Sequence, residues 1–208
     1  MKKQVVLLIA LLLSLSAIQQ IHGQETETLF DGVASHGGFG GPVIKISDVA
    51  GTPGVWVGGR GAWLINLKQG GRAISLGGGG FGLATDHKVP DPNYGEPGTD
   101  YYTDIGYGGV EVEFYDRSHR LIHYTMSAMV GGGSLSTRMD NDMEYEGEDS
   151  FFLFEPGANI EVNITGFFRI AAGLSYRFTN GISRAGFSDG DFSGISATMT
   201  FKFGQLRR

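Results

Sequence analysis

The sequence contains no cysteine and no excess of basic residues. Its 208 residues carry 16 Lys and Arg against 22 Asp and Glu, which gives a formal charge of −6. A chain without cysteine has neither a disulfide framework nor a thiolate metal site, so its stability must come from its sheet or core. Phosphate backbones are bound by basic faces, and we therefore predict no nucleic-acid partner.

The N-terminus is typical of a secretory signal peptide. Lys2 and Lys3 precede the uninterrupted apolar run from Val5 to Leu13, and a small-residue site precedes Gln24. A membrane anchor is the alternative, but the run is shorter than the roughly 20 residues of a spanning helix. We predict a signal peptide over 1–23, a periplasmic segment over 24–36 and a barrel over 37–208. Loss of both lysines changes the charge from −6 to −8.

Beyond residue 23 there is no helical period, and apolar and polar residues alternate instead. The alternation is clearest at the C-terminus, where one face carries Ile195, Ala197, Met199, Phe201 and Phe203 and the other carries Ser196, Thr198, Thr200 and Lys202. It recurs around 110–115, 122–130, 152–164 and 168–178. With three glycine-rich segments at 39–47, 55–66 and 72–86, whose faces the pattern leaves unassigned, this predicts eight strands.

The links between these strands alternate in length. Those at 67–71, 117–119 and 165–167 are short, whereas those at 87–100, 137–150 and 179–191 are long. Short turns at one end and long polar loops at the other are typical of outer-membrane barrels. The sequence therefore predicts an all-β fold, an eight-stranded antiparallel up-and-down transmembrane β-barrel.

The polar face carries charges of both signs, which we predict form a network in the lumen: Glu111, Glu113, His123, Glu155, Glu161, Arg169, Arg177 and Lys202. Three-residue turns would set Glu155 opposite Arg177, Asn163 opposite Arg169 and His123 opposite Glu113. The same charges would suit the solvated surface of a soluble barrel that binds a small apolar ligand. Strands of ten or more residues and aromatic residues at their ends favour the membrane.

Several segments resemble a known family. "FFLFEPGANIEVNITGFFRIAAGLSYRF" and "SGISATMTFKFG" resemble the closing strands of small, uncharacterised outer-membrane β-barrel proteins of the Bacteroidetes type, eight-stranded like OmpA and OmpX. "GVWVGGRGAWLIN" and "ISLGGGGFGLATD" resemble their early hairpin. The likeness implies an outer-membrane location, contact with lipid and lipopolysaccharide, and a last strand recognised by the barrel-assembly machinery. It implies no particular activity.

Two motifs suggest ligands. Gly77, Gly79 and Gly82 have the spacing of a dinucleotide turn, but "LATDHKVPDP" follows and starts no helix, so we expect no cofactor. The acidic stretch "DNDMEYEGED" is a candidate for weak divalent-cation binding through Asp140, Asp142, Glu144 and Glu146. It lacks the spacing of an EF-hand loop, and the alternative is a solvated, self-repelling loop.

We expect no enzymatic activity and a structural or surface-binding role through the long loops, whose partner the sequence does not identify. Barrel enzymes that modify lipids use His with Ser, and the comparable neighbours are His123 with Ser127 and His119 with Ser118. We interpret His123 as a buried, satisfied side chain instead.

Folding the chain about residue 69 places the four glycines of "GGGG" in a glycine-rich belt across four strands, with room for a ring such as Trp56 or Trp63.

Overall fold

The computed structural model describes residues 35–67, 71–139 and 145–206, without the side chains of 145–147. The predicted signal peptide lies outside this part of the chain. The elements in chain order are β1 (Ser35–Val49), β2 (Thr52–Asn66), β3 (Ala73–Leu83), β4 (His87–Lys88), β5 (Tyr101–Asp116), β6 (Ile122–Met139), β7 (Tyr145–Asn163), β8 (Phe168–Asn180), α1 (Asp189–Phe192) and β9 (Gly194–Gln205). The first strand therefore begins two residues before the predicted barrel boundary. None of the described helices is long and apolar enough to cross a membrane.

The sheet closes on itself. Neighbours along the chain pair antiparallel, β9 pairs with β1, and β3 pairs with β5. The two-residue strand β4 only continues the line of β3, against residues 102 and 103 of β5. The prediction of a closed antiparallel barrel of eight long strands is therefore confirmed.

Side chains alternate between the two faces of the wall, because successive residues of a strand point to opposite sides of the sheet. In β9, the outward Ile195 and Met199 are 63% and 44% exposed, whereas the inward Ser196 and Lys202 are fully buried. The polar face therefore points into the barrel and the apolar face points out.

The links define two ends of the barrel. The turn end has the links 67–72, 117–121 and 164–167, and the loop end has 50–51, 84–100, 140–144 and 181–193. The predicted register of β7 and β8 is confirmed by Asn163 opposite Arg169. The predicted long link at 137–150 is wrong in extent, because β6 and β7 continue as a paired hairpin with a bulge at Ser136 and Thr137.

The prediction that His123 faces Glu113 is wrong. The fourth link runs from 117 to 121 rather than to 119, with Arg117 at a φ of 50° and a turn closed by Arg120 N donating to Arg117 O. The longer turn shifts the register of β5 and β6 by four residues, so Glu113 faces Ser127. His123 lies opposite Glu161 of β7 on its other side.

The glycine belt is present and crosses five strands rather than four. Gly61 pairs with Gly40 and Gly78. Further round the wall, Gly108 pairs with Gly80 and Gly132. The predicted register of β2 and β3 is wrong by one residue, since Leu67 N donates to Arg72 O and centres the turn between residues 69 and 70.

The belt has a steric cause. A Cβ atom on Gly131 would meet the backbone of Gly108 and Gly109 in the next strand, so side chains are excluded by the close approach of the strands. The rings that lie against belt glycines are Phe81, beside Gly58, and Phe151, beside Gly133. The two tryptophans do not fill this role: Trp56 packs beside Tyr107, and Trp63 faces outward.

A methyl group should therefore be tolerated at one glycine and not at another. We expect Gly131→Ala to lower the free energy of unfolding by roughly 1 to 3 kcal/mol, the usual cost of overpacking. Gly82→Ala is the control, because a Cβ there has no atom within 4 Å. Urea titration of the refolded barrel measures both, and equal stability of the two variants would contradict the steric explanation.

Candidate functional site: the ionic lumen and its two closures

The lumen contains charged side chains from opposite walls. Lys202 of β9 is completely buried, and its Nζ lies 2.9 Å from Glu113 Oε2 of β5 and 2.6 Å from Glu161 Oε2 of β7. The same ammonium donates to Tyr115 OH at 3.2 Å. One cation thus joins three strands across the barrel, and we call this group with Arg60 and Glu111 the central cluster.

Arg60 completes the central cluster. Its Nη2 lies 2.8 Å from Glu111 Oε1 and 2.7 Å from Glu113 Oε2. The residue stands in the glycine-rich part of β2, between Gly59 and Gly61, so its guanidinium extends into the lumen from a wall that carries few side chains. It therefore supplies the ion pair of Glu111 and a second cation beside Glu113.

A second group of polar contacts lies nearer the loop end. Lys45 Nζ pairs with Glu155 Oε1 at 2.8 Å, and Tyr107 OH donates to Glu155 Oε2 at 3.0 Å. Ser175 also donates to this carboxylate. Glu155 thus pairs with Lys45, whereas Arg177, its expected partner on β8, bonds elsewhere.

At the turn end the network reaches His123 and Arg169. Arg169 Nη1 lies 2.9 Å from Glu161 Oε1, and His123 Nε2 lies 3.2 Å from the same oxygen but out of hydrogen-bond alignment. His123 Nδ1 is 3.2 Å from Arg120 O. His123 is therefore a buried neighbour of the network and has no access to solvent.

The structure places all eight lumen residues proposed from the sequence in the barrel interior, none more than 6% exposed. Sequence reasoning missed Lys45 and Arg60, because the faces of the glycine-rich strands were left unassigned. The alternation of inward Val43, Lys45 and Ser47 with outward Ile44 and Ile46 could have identified Lys45.

The loop end of the lumen is closed by an apolar plug. Residues 181–193, which we call the loop-end cap, insert Ile182, Phe187 and Phe192 among buried side chains of the wall such as Trp56 and Leu153. Arg177 holds this segment from below. Its Nε donates to Phe192 O at 2.7 Å, its Nη2 donates to Ser47 Oγ at 3.0 Å, and its guanidinium stacks 4.1 Å from the Trp56 ring.

The turn end is closed in a similar way. Phe39, Leu64, Ala73, Tyr115 and Leu206 form a second buried apolar cluster. Arg169 Nη2 donates to Leu206 O at 2.8 Å, so an arginine again ties a closing segment to the network. Between the closures, the cavity lined by Lys45, Arg60, Glu111 and Glu155 measures about 30 Å³, room for about one water molecule.

The described geometry gives little support to the His and Ser pairs or to the cation site proposed from the sequence. Ser118 Oγ donates to Gly71 O in a turn, and Ser127 and His123 both face the closed lumen. Of the proposed cation ligands, Asp140, Asp142, Glu144 and the side chain of Glu146 lie outside the described residues. In the part of the chain that is described, no group of three or more His, Asp or Glu side chains is placed to hold a metal ion.

These features define a closed antiparallel barrel with an ionic interior and an apolar exterior. Solved structures of other proteins are similar to this chain. Neisserial surface protein A shares 9% identity with a TM-score of 0.46, over 85% of this chain and 100% of that one. Ail, the attachment invasion locus protein of Yersinia pestis, in complex with the heparin analogue sucrose octasulfate, shares 12% with a TM-score of 0.46, over 83% and 98%. The fold of this chain is established by its own strand pairing.

No protein-family model matches the chain, and no curated protein matches its sequence.

Removing the central cation should be costly. Lys202→Met leaves Glu113 and Glu161 with less compensation in the lumen, and we expect a loss of roughly 3 to 5 kcal/mol in the free energy of unfolding. Lys88→Met is the matched control, because the Lys88–Asp100 pair is more than half exposed and such pairs contribute about 1 kcal/mol or less. Urea titration of both variants in the same lipid measures the difference, and equal losses would contradict a buried network.

Weakening the Arg177 contact should loosen the loop-end cap. Arg177→Lys keeps the charge but cannot donate to Phe192 O, Tyr107 and Ser47 together, since lysine lacks the planar fork. We expect trypsin to cleave the cap at Arg184 several-fold faster, as read by mass spectrometry of the fragments. Arg169→Lys, at the opposite end, should leave this rate unchanged, and an unchanged rate in Arg177→Lys would show that the arginine does not hold the cap.

Proposed function

We propose that this chain is a non-enzymatic outer-membrane β-barrel that spans the bilayer with its eight long strands and serves as a structural or surface-binding protein. The observation that carries this proposal is the apolar outer wall. Every long strand exposes a large apolar side chain, and one from each is between 44% and 66% exposed: Ile46, Val57, Leu76, Val112, Met126, Ile160, Leu174 and Met199. Water would be a poor solvent for a wall that is apolar around the whole circumference.

The charges are distributed as a membrane crossing requires. Outward charged residues such as Asp48, Asp104 and Asp116 stand at or near strand ends, while Lys202 and Glu113 are fully buried inside the lumen. Aromatic side chains mark both borders of the apolar wall, with Phe152 and Phe178 towards the loop end. Closed antiparallel barrels with this distribution are outer-membrane structures, and their longer loops face the exterior.

The soluble barrel that binds an apolar ligand is less well supported. Such a barrel needs an apolar cavity and a polar exterior. Here the cavity of about 30 Å³ is lined by charged groups such as Lys45 and Glu111, and the apolar side chains point outward. We therefore prefer the membrane barrel to the soluble barrel. We propose that it contacts outer-membrane lipid and lipopolysaccharide, that the barrel-assembly machinery inserts it, and that it is related to the Bacteroidetes-type barrels.

Fractionation tests the location. We expect the expressed chain to stay in the outer-membrane fraction after carbonate extraction, because its apolar wall is buried in lipid. We also expect the unheated protein to migrate differently from the boiled protein in detergent gels, since the closed barrel resists unfolding. Release by carbonate, with identical mobility before and after heating, would overturn the proposal.

A lipid-modifying activity is tested separately. His123 is 2% exposed and faces Glu161 in the lumen, so we expect His123→Ala to leave the lipid A profile of the producing cells unchanged. Mass spectrometry of extracted lipid A compares cells that carry the wild type, the variant and an empty vector. A modification that appears with the wild type and disappears with the variant would contradict a non-enzymatic role.

A further inference from the structure

The turn end carries a group of exposed arginines that the ionic lumen does not use. Arg72 and Arg117 flank Asp116, with Nε to carboxylate distances of 3.7 and 3.0 Å, and their side chains are 60% and 62% exposed. Arg120 is also exposed, and no carboxylate in the described part of the chain forms an ion pair with it. We call these three arginines and Asp116 the basic turn cluster, and its net charge is three minus one, or +2.

The backbone holds the basic turn cluster in place. Ser118 N and Oγ donate to Gly71 O at 2.8 and 3.0 Å, which fixes the 117–121 turn against the turn that carries Arg72. Asn163 Nδ2 donates to Ser118 O at 3.0 Å from β7. Three guanidiniums are thus presented from neighbouring, hydrogen-bonded turns, so binding an anion would require little ordering of the backbone.

Apolar side chains adjoin the same cluster. Leu121, the next residue after Arg120, is 67% exposed, and Ile122 and Tyr124 are 58% and 65% exposed on the outward face. An arginine turn that continues directly into exposed apolar residues fits the boundary between lipid headgroups and acyl chains, where cations reach the phosphates and carbon chains bury apolar groups.

We infer that the basic turn cluster binds the phosphate of an anionic phospholipid in the leaflet that meets the short turns. The inference rests on the proposed membrane location. Arginine suits this ligand because its planar fork offers two parallel donors to phosphate oxygens. In the described part of the loop end, the basic residues Lys88 and Arg138 each pair with a carboxylate, Asp100 and Asp86.

Trp63 supplies a reporter for the test. It faces outward in β2 and is 53% exposed, whereas the second tryptophan of the chain, Trp56, is fully buried in the lumen. Trp63 lies three residues before the end of β2, the strand that leads into the turn carrying Arg72. Brominated lipids quench tryptophan at short range, so Trp63 reports the lipids next to the turn end.

The experiment compares brominated phosphatidylglycerol with brominated phosphatidylcholine, at equal mole fraction, in vesicles that contain the refolded full chain. We expect stronger quenching of Trp63 by phosphatidylglycerol, and a several-fold loss of this preference in the triple variant R72Q/R117Q/R120Q, since each basic residue near an anionic surface adds to the attraction of anionic lipid. The matched control K88Q/R138Q, at the loop end, should keep the preference. R120Q alone tests the site without removing an ion pair, should the triple variant fail to fold.

The outcomes separate the two proposals. Equal quenching by both lipids, or a preference that survives in the triple variant and R120Q, would overturn lipid binding by the basic turn cluster. Loss of the preference on adding inorganic phosphate, but not chloride at the same ionic strength, would support recognition of the lipid phosphate itself by the arginines. No quenching by either lipid, together with no heat-dependent gel shift, would instead overturn the membrane location.

Discussion

The ion pairs of Lys202 with Glu113 and Glu161 are the interaction on which the interior depends. They join β9, β5 and β7 across the lumen at distances of 2.9 and 2.6 Å, with all three side chains fully buried. Burying a charge costs free energy of desolvation unless the charge is paired and hydrogen-bonded. Each of these three residues therefore offsets the desolvation cost of the others. Arg60 and Tyr115 add donors to Glu113, and Arg169 adds one to Glu161. The barrel interior is therefore specified by mutual compensation of charge.

This interior follows from the inverted exterior. Each long strand exposes large apolar side chains on its outward face, and strand alternation turns every second residue into the lumen. Eight strands enclose space only for side chains. In the glycine belt the neighbouring strands lie especially close together, because Gly131 and Gly108 belong to strands that leave no room for a Cβ atom between them. The long side chains of Arg60, from within the belt, and of Lys202, from β9, reach across the lumen and fill it.

The sequence predicted the fold well because the repeat of two residues is carried by the side chains themselves. The strands from β5 onward have clear faces, and Asn163 opposite Arg169 followed from counting a short turn. The counting failed where the turn was misjudged: the five-residue link after Asp116 sets Glu113 opposite Ser127, four residues beyond His123. Turn length depends on local backbone geometry, here the positive φ of Arg117, which hydrophobic periodicity does not report.

The partners of individual charges were harder to predict than their direction. Glu155 and Arg177 stand in register on neighbouring strands, yet Glu155 pairs with Lys45 from the far side of the barrel. A closed barrel brings strands that are distant in sequence to within one side-chain length, so cross-lumen contacts compete with cross-strand ones. Lys45 and Arg60 lay in strands where glycine obscures the alternation, and these two cations pair with Glu155 and Glu111.

The two remaining arginines of the lumen hold the segments that close its two ends. Arg177 and Arg169 stand at opposite ends of β8, and each donates to a backbone carbonyl of a closing segment, Phe192 O at the loop end and Leu206 O at the turn end. A carbonyl carries no net charge, so these contacts close the lumen without adding a carboxylate to either apolar plug. The lumen contains five lysines and arginines but only four glutamates. Hydrogen bonds to carbonyls stabilise the one cation in excess. Without these carbonyls, a further acidic residue would have to be buried to balance it. The same residues that balance the interior thus also fasten its ends.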